Sequence, residues 1–152
     1  MIEWTPDRVK FELVRAFRVL QSVPVRDSFY NAGGGFWPSY CYEKDEIDEQ
    51  REQEKTENRP VRDRRRYTPR DIQRMEAILL GQGNEKAWLV RFLNEAPAAR
   101  RCLTWWAIWV AQDRTIKVAC RRKGWAYSTF RRQRDNGACL LAEALNRARV
   151  EI

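Results

Sequence analysis

The stretch from Arg121 to Arg134 reads RRKGWAYSTFRRQR, six basic residues in fourteen with no acid among them. A solvated face usually mixes signs of charge. Guanidinium forks fit phosphate oxygens and guanine edges, so an unmixed basic stretch fits recognition of a polyanion. Bond-making chemistry has far less support. The chain has no histidine for general acid–base work, no Gly-rich phosphate loop and no nucleophile motif. Cys41, Cys102, Cys120 and Cys139 include no C-x-x-C pair, which removes the usual zinc patterns. They read as small buried core thiols in a reducing compartment. Glu43, Asp45, Glu46 and Asp48 could line a nuclease metal site. A carboxylate-rich helix face in water explains them more simply. The expectation is a protein that is not an enzyme and carries no cofactor or metal.

The 152 residues suit one domain, or a small domain with an arm. Hydrophobic residues make up 43%, with seven Trp and six Phe, enough apolar mass for a core. The opening MIEWTPDRVK has early acids and no apolar run, so it does not read as a signal peptide. No stretch approaches the roughly 18 apolar residues of a membrane span. The expected location is the cytoplasm, that of the host cell if the protein is phage-encoded.

The formal charge of +8 is unevenly placed. Residues 1–42 carry +1, residues 43–58 carry −5, residues 59–66 carry +4, residues 67–98 balance, and residues 99–152 carry +8. A local excess of this kind is a partner signal.

Helical elements must position these charges. Thr5-Pro6-Asp7 offers a cap, a Pro for the first helical position and an acid for the dipole. Trp4 and Val9 are spaced for a hydrophobic staple, and Val9, Leu13, Ala16, Phe17 and Leu20 form one apolar stripe. Pro24 ends that helix. Asn31–Tyr40 is a Gly-rich loop whose Phe36, Trp37 and Tyr40 dock on the core. Residues 43–58 read as a solvated helix or linker; a sharper reading has their acids compete with DNA for the basic face. Residues 59–66 form a basic arm. Thr68-Pro69-Arg70-Asp71 repeats the helix-start pattern, with Ile72, Met75 and Leu79 inward and Gly81 and Gly83 as stops. Lys86–Glu95 forms a short helix closed by Ala96-Pro97, and Arg100–Gln112 another. In the latter Cys102, Leu103, Trp106, Trp109 and Val110 share a face, while Trp105 and Ile108 lie off it. Its three Trp residues read as core.

The last third gives a helix over Ile116–Arg122, a Lys123-Gly124-Trp125 turn, and a long helix over Tyr127–Arg149. Helix, Gly turn, helix is the helix-turn-helix pattern, whose second helix enters the major groove. Gly124 supplies a positive φ, and Cys120, four residues earlier, is small enough for a close crossing. Phe130, Ala138, Leu141 and Leu145 face inward. Tyr127, Ser128, Arg131, Arg132 and Asp135 face outward. Arg131 and Arg132 fit base edges or phosphates, and Tyr127 and Ser128 reach from the helix start. Lys117, Arg121, Arg122 and Lys123 read as phosphate contacts. Arg134 snorkels beside the inward face. Asp135-Asn136-Gly137 interrupts the basic helix, which argues against a membrane surface.

The predicted fold is thus all-α: a helical bundle with a C-terminal helix-turn-helix at about 116–149 and a long charged linker. Its units are 1–42, packing on the core, 43–66, the linker and arm, and 67–152, the helical domain.

Several features together resemble a family of phage and proteobacterial proteins known only as a domain of unknown function. They are Trp4-Thr5, Trp37-Pro38, the run Pro69–Glu76 and Trp105-Trp106-Ala107, then Gly124, Ser128-Thr129, Arg131-Arg132 and Leu145-Asn146. The last part is also similar to the DNA-reading region four of sigma factors. That pattern usually has Ser at the recognition-helix cap and Leu before the turn Gly, where this chain has Ala126 and Lys123. The resemblance implies an all-α fold and duplex DNA as partner. It leaves open a transcriptional regulator, a small terminase subunit that recognises DNA for packaging, and a non-enzymatic adaptor. The adaptor would bind RNA polymerase or another protein through Phe36 and Trp37. A terminase subunit normally forms a homo-oligomeric ring and a regulator a dimer or monomer, so mass by light scattering separates them.

Overall fold

The computed structural model describes residues 2–22 and 67–152. The Gly-rich aromatic loop, the acidic run, the basic arm and Cys41 lie outside the described residues. The described residues are all-α, with no β-strand among them: α1 Pro6–Ser22, α2 Pro69–Met75, α3 Trp88–Phe92, α4 Pro97–Ala111, α5 Ile116–Arg122 and α6 Tyr127–Arg147. No helix among them is long and apolar enough to cross a membrane.

Helix starts follow local chemistry. At α1 the Arg8 N–H donates to Thr5 Oγ1 at 3.3 Å, and Pro6 opens the first turn. At α2 the capping box is complete: Asp71 N–H donates to Thr68 Oγ1 at 3.2 Å, and Thr68 N–H to Asp71 Oδ2 at 3.0 Å. The hydrogen bonds from the Thr68 backbone and hydroxyl, with Arg15 nearby, hold the Asp71 carboxyl below its usual range. Pro97, read from sequence as closing the previous helix, instead opens α4. The same fixed φ and missing N–H suit either place, and the preceding α3 ends at Phe92.

Helix ends are less local. α2 continues into one wide π-type turn, Glu76–Leu80, which puts Ile78 inward beside Leu79. Ile72, expected inward, is only partly buried. Helices α4, α5 and α6 share one closure. Arg114 N–H reaches back to Trp109 O at 2.9 Å, Trp125 N–H to Cys120 O at 2.9 Å, and Val150 N–H to Leu145 O at 3.1 Å. The residue before each donor takes a positive φ: Asp113 at 56°, Gly124 at 70° and Arg149 at 53°. That closure ends α6 at Arg147, short of the Arg149 read from sequence.

One core joins all six helices. The stripe Val9, Leu13, Ala16, Phe17 and Leu20 is buried, and Val14 and Val19 join it. Helix α4 packs against both α1 and α6. Two partners therefore set its buried face. Trp105, Ala107 and Ile108 are fully inside, while Cys102, Trp106 and Val110, read as the apolar face, are only partly covered. Trp4 ties the start of the described chain to its end. Its N–H donates to Asn146 Oδ1 at 2.7 Å, its indole N–H to Val150 O at 2.8 Å, and Asn146 Nδ2 donates to Trp4 O at 2.9 Å. Its ring meets Trp88 edge-on at 5.3 Å.

The cysteines divide. Burial pushes the Cys102 and Cys120 thiols up, away from reactivity. Cys139, read as buried, is exposed, because it stands a hundred or so degrees round the helix from inward Ala138.

Gly137 lets α4 and α6 approach. A Cβ there would meet Ala99 O at 2.9 Å and Leu103 Cβ at 3.4 Å. The obstacle is mostly backbone, which cannot swing aside. Gly137→Val should therefore destabilise the fold by about 1–3 kcal/mol, read from the urea midpoint at unchanged slope. A midpoint equal to that of the parent protein would show that the two helices are not in close contact.

Candidate nucleic-acid interface

Helix α6 stands on an aromatic base. Phe130, 2% exposed, lies against Trp109 at 5.4 Å and is stacked with Trp125 at 5.9 Å. Trp109 continues the cluster to Trp105 at 5.8 Å. Trp105 and Trp109 are thus structural supports, while Trp106 is only partly buried. Ala138, Leu141 and Leu145 extend the buried side of α6. Four residues, Lys123–Ala126, join α5 to α6. Gly124 takes the left-handed conformation there, with open space around its missing Cβ. Cys120, four residues earlier, is 1% exposed.

Opposite that buried side, Tyr127, Ser128, Arg131, Arg132 and Asp135 line one open groove. The first four are exposed. Arg131 and Arg132 have no ion-pair partner among the described residues. Ala126 occupies the cap position of α6 and offers no side-chain acceptor, and none of the described side chains caps that end. Its first N–H groups therefore remain open to an acceptor. Helix α5 lies alongside. The Lys117 ammonium sits 5.4 Å from the Tyr127 ring centroid, joining the two helix starts. Arg121 and Arg122 are exposed.

Two residues behave differently from the sequence reading. Lys123, read as a phosphate contact, is turned onto rings: its ammonium is 4.1 Å from the Trp105 centroid and 5.3 Å from that of Trp125. Its stem occupies the half-buried place before the turn Gly, where a Leu would sit for packing alone. Asp135, read as facing outward, is held at the groove edge by two cations. Lys10 Nζ on α1 lies 2.8 Å from Oδ1, and Arg134 Nη2 lies 2.9 Å from it. Burial alone would raise the Asp135 carboxyl, but the hydrogen bonds from Lys10 and Arg134 outweigh it and hold the group below its usual range. Asp135 is therefore ionised and already neutralised, so it does not cancel Arg131 and Arg132. The Arg134 guanidinium lies 5.5 Å from the Trp106 ring, with its side chain only 14% exposed.

Lys10 is the residue that sequence reasoning missed. It lies in α1 on the side away from Arg8 and Arg15, and no local pattern marks its partner in α6. Among the described residues no three potential metal ligands cluster. No family model matches this chain, and no curated protein and no solved structure is significantly similar to it.

Proposed function

We propose that this chain binds duplex DNA, with α5 and α6 acting as a helix-turn-helix and the start of α6 entering the major groove. The observation that carries this reading is the pair Arg131 and Arg132. Both are exposed, and unpaired among the described residues, on one groove with Tyr127 and Ser128, above an aromatic base centred on buried Phe130 and Trp109. A helix packed from below, with two exposed guanidinium forks above, suits a groove about 12 Å wide. Lys117 and Arg121 on α5 are the phosphate contacts in this reading, and the uncapped N–H groups of α6 add another. Lys123 serves the turn rather than the DNA. The role is that of a phage or prophage transcriptional regulator, consistent with the resemblance of Gly124, Ser128, Arg131 and Arg132 to sigma region four.

The test is a titration of the full chain against a fluorescent random-sequence duplex at low salt. Sequence-independent affinity in the micromolar range or tighter is expected, because phosphate contacts need no particular bases. Absence of binding at low salt, by folded protein at tens of micromolar, would refute the reading.

A further inference from the structure

A second group of arginines lies away from α5 and α6. Arg8 and Arg15 on α1, with Arg70 and Arg74 on α2, line a cleft of about 270 Å³. Val19 and Met75 lie beneath it but are each 1% exposed, so the surface it presents is mainly that of its charged side chains. Two of the guanidiniums are anchored. Arg15 Nη2 lies 2.5 Å from Asp71 Oδ1. Arg74 Nη1 donates to Glu151 O at 3.0 Å, and its guanidinium lies 5.9 Å from the Trp88 centroid. The other two, on Arg8 and Arg70, are exposed and make no side-chain hydrogen bond or ion pair among the described residues. Glu12 and Asp71 are the acidic side chains in the lining, against four arginines, and Ile152 also lines it. Asp71 is already engaged by Thr68 and Arg15. Four arginines against two acidic side chains give this cleft a local positive excess.

The cleft is distinct from the α6 groove. Lys10, two residues after Arg8, is about 200° round α1 and pairs with Asp135 of α6. The α1–α2 cleft therefore opens on another side of α1.

We propose that this cleft is a phosphate-binding site. Anchored Arg15 and Arg74 set its shape, and Arg8 and Arg70 close as forks on the phosphate oxygens. That phosphate belongs either to a small ester or to the backbone of a bound nucleic acid, and both sources share this chemistry.

Calorimetric titration of the full chain with phenyl phosphate, at ionic strength fixed with sodium chloride, tests the site. The same protein is then titrated with a duplex. The variant is Arg8→Ala/Arg70→Ala, whose exposed positions cost little stability. Circular dichroism confirms its fold. Arg91→Ala/Arg147→Ala removes equal charge elsewhere and is the control. The expected result is saturable binding of phenyl phosphate by the parent and control proteins, weakened at least tenfold in the Arg8/Arg70 variant. Arg131→Ala/Arg132→Ala should bind phenyl phosphate like the parent. If the Arg8/Arg70 variant also loses duplex affinity beyond the control, the site accepts backbone phosphate as well. A loss on the duplex alone assigns the site to nucleic acid. If that variant matches the control with both ligands, no phosphate site exists there. The phenyl phosphate arm involves no DNA, so its outcome stands whether or not α6 reads a duplex.

Discussion

Duplex affinity should fall by about several hundredfold when salt rises from 50 to 200 mM. Residues 99–152 carry a net +8, and much of that excess is exposed on α5 and α6. Each phosphate neutralised releases condensed counterions, giving a log–log slope of about −0.9 per contact. About five contacts give a slope near −4.5, and a fourfold rise in salt then yields roughly a factor of several hundred. Lys123 and Arg134 do not belong in this count, since the first rests on Trp105 and the second on Asp135 and Trp106. Lys117, Arg121, Arg122, Arg131 and Arg132 do. Anisotropy titrations at four salt concentrations supply the slope. A slope shallower than about −2 would mean that these cations do not meet phosphates.

The second large effect is on stability. Phe130→Ala should cost about 3–5 kcal/mol, because a ring 2% exposed leaves a cavity among Trp109, Trp125 and the α6 backbone. Phe11→Ala is the natural comparison. Phe11 is 62% exposed on α1, and its loss should stay within about 0.5 kcal/mol. Urea denaturation of both variants gives the difference. If Phe130→Ala cost no more than Phe11→Ala, the aromatic base would not be supporting α6, and a rigid reading helix would lose its foundation.

Much of the fold is written locally. Thr-Pro with an acid nearby announces α1 and α2 because cap, fixed φ and dipole all act within one turn. Gly124 marks the turn before α6 because glycine takes a positive φ without a Cβ penalty. Asp113 and Arg149 end their helices with the same backbone geometry, yet nothing in their side chains announces it. The buried face of α4 was misread because periodicity describes one partner, while α1 and α6 cover it from two sides. Cys139 fell to the same problem at smaller scale, one position past the inward Ala138.

The candidate site divides in the same way. Arg131, Arg132, Tyr127 and Ser128 were legible, since helical spacing from Phe130 and Ala138 sets them outward. Lys123 was not, because only tertiary packing brings Trp105 beneath it. Asp135 was not, because its partner Lys10 comes from the far end of the chain. The arginine cleft was equally hidden: α1 and α2 are far apart in sequence, and charge counted along the chain shows residues 67–98 as neutral.

The most direct measurement compares single arginine variants on two duplexes, one selected from random sequence by the parent protein and one scrambled. Arg131→Ala and Arg132→Ala should each lose about 1–3 kcal/mol on the selected duplex and much less on the scrambled one. Lys117→Ala and Arg121→Ala should weaken both alike and flatten the salt slope by about one unit. If Arg131→Ala and Arg132→Ala leave the ratio of selected to scrambled affinity unchanged, α6 does not read bases, and the account of it as a recognition helix is wrong.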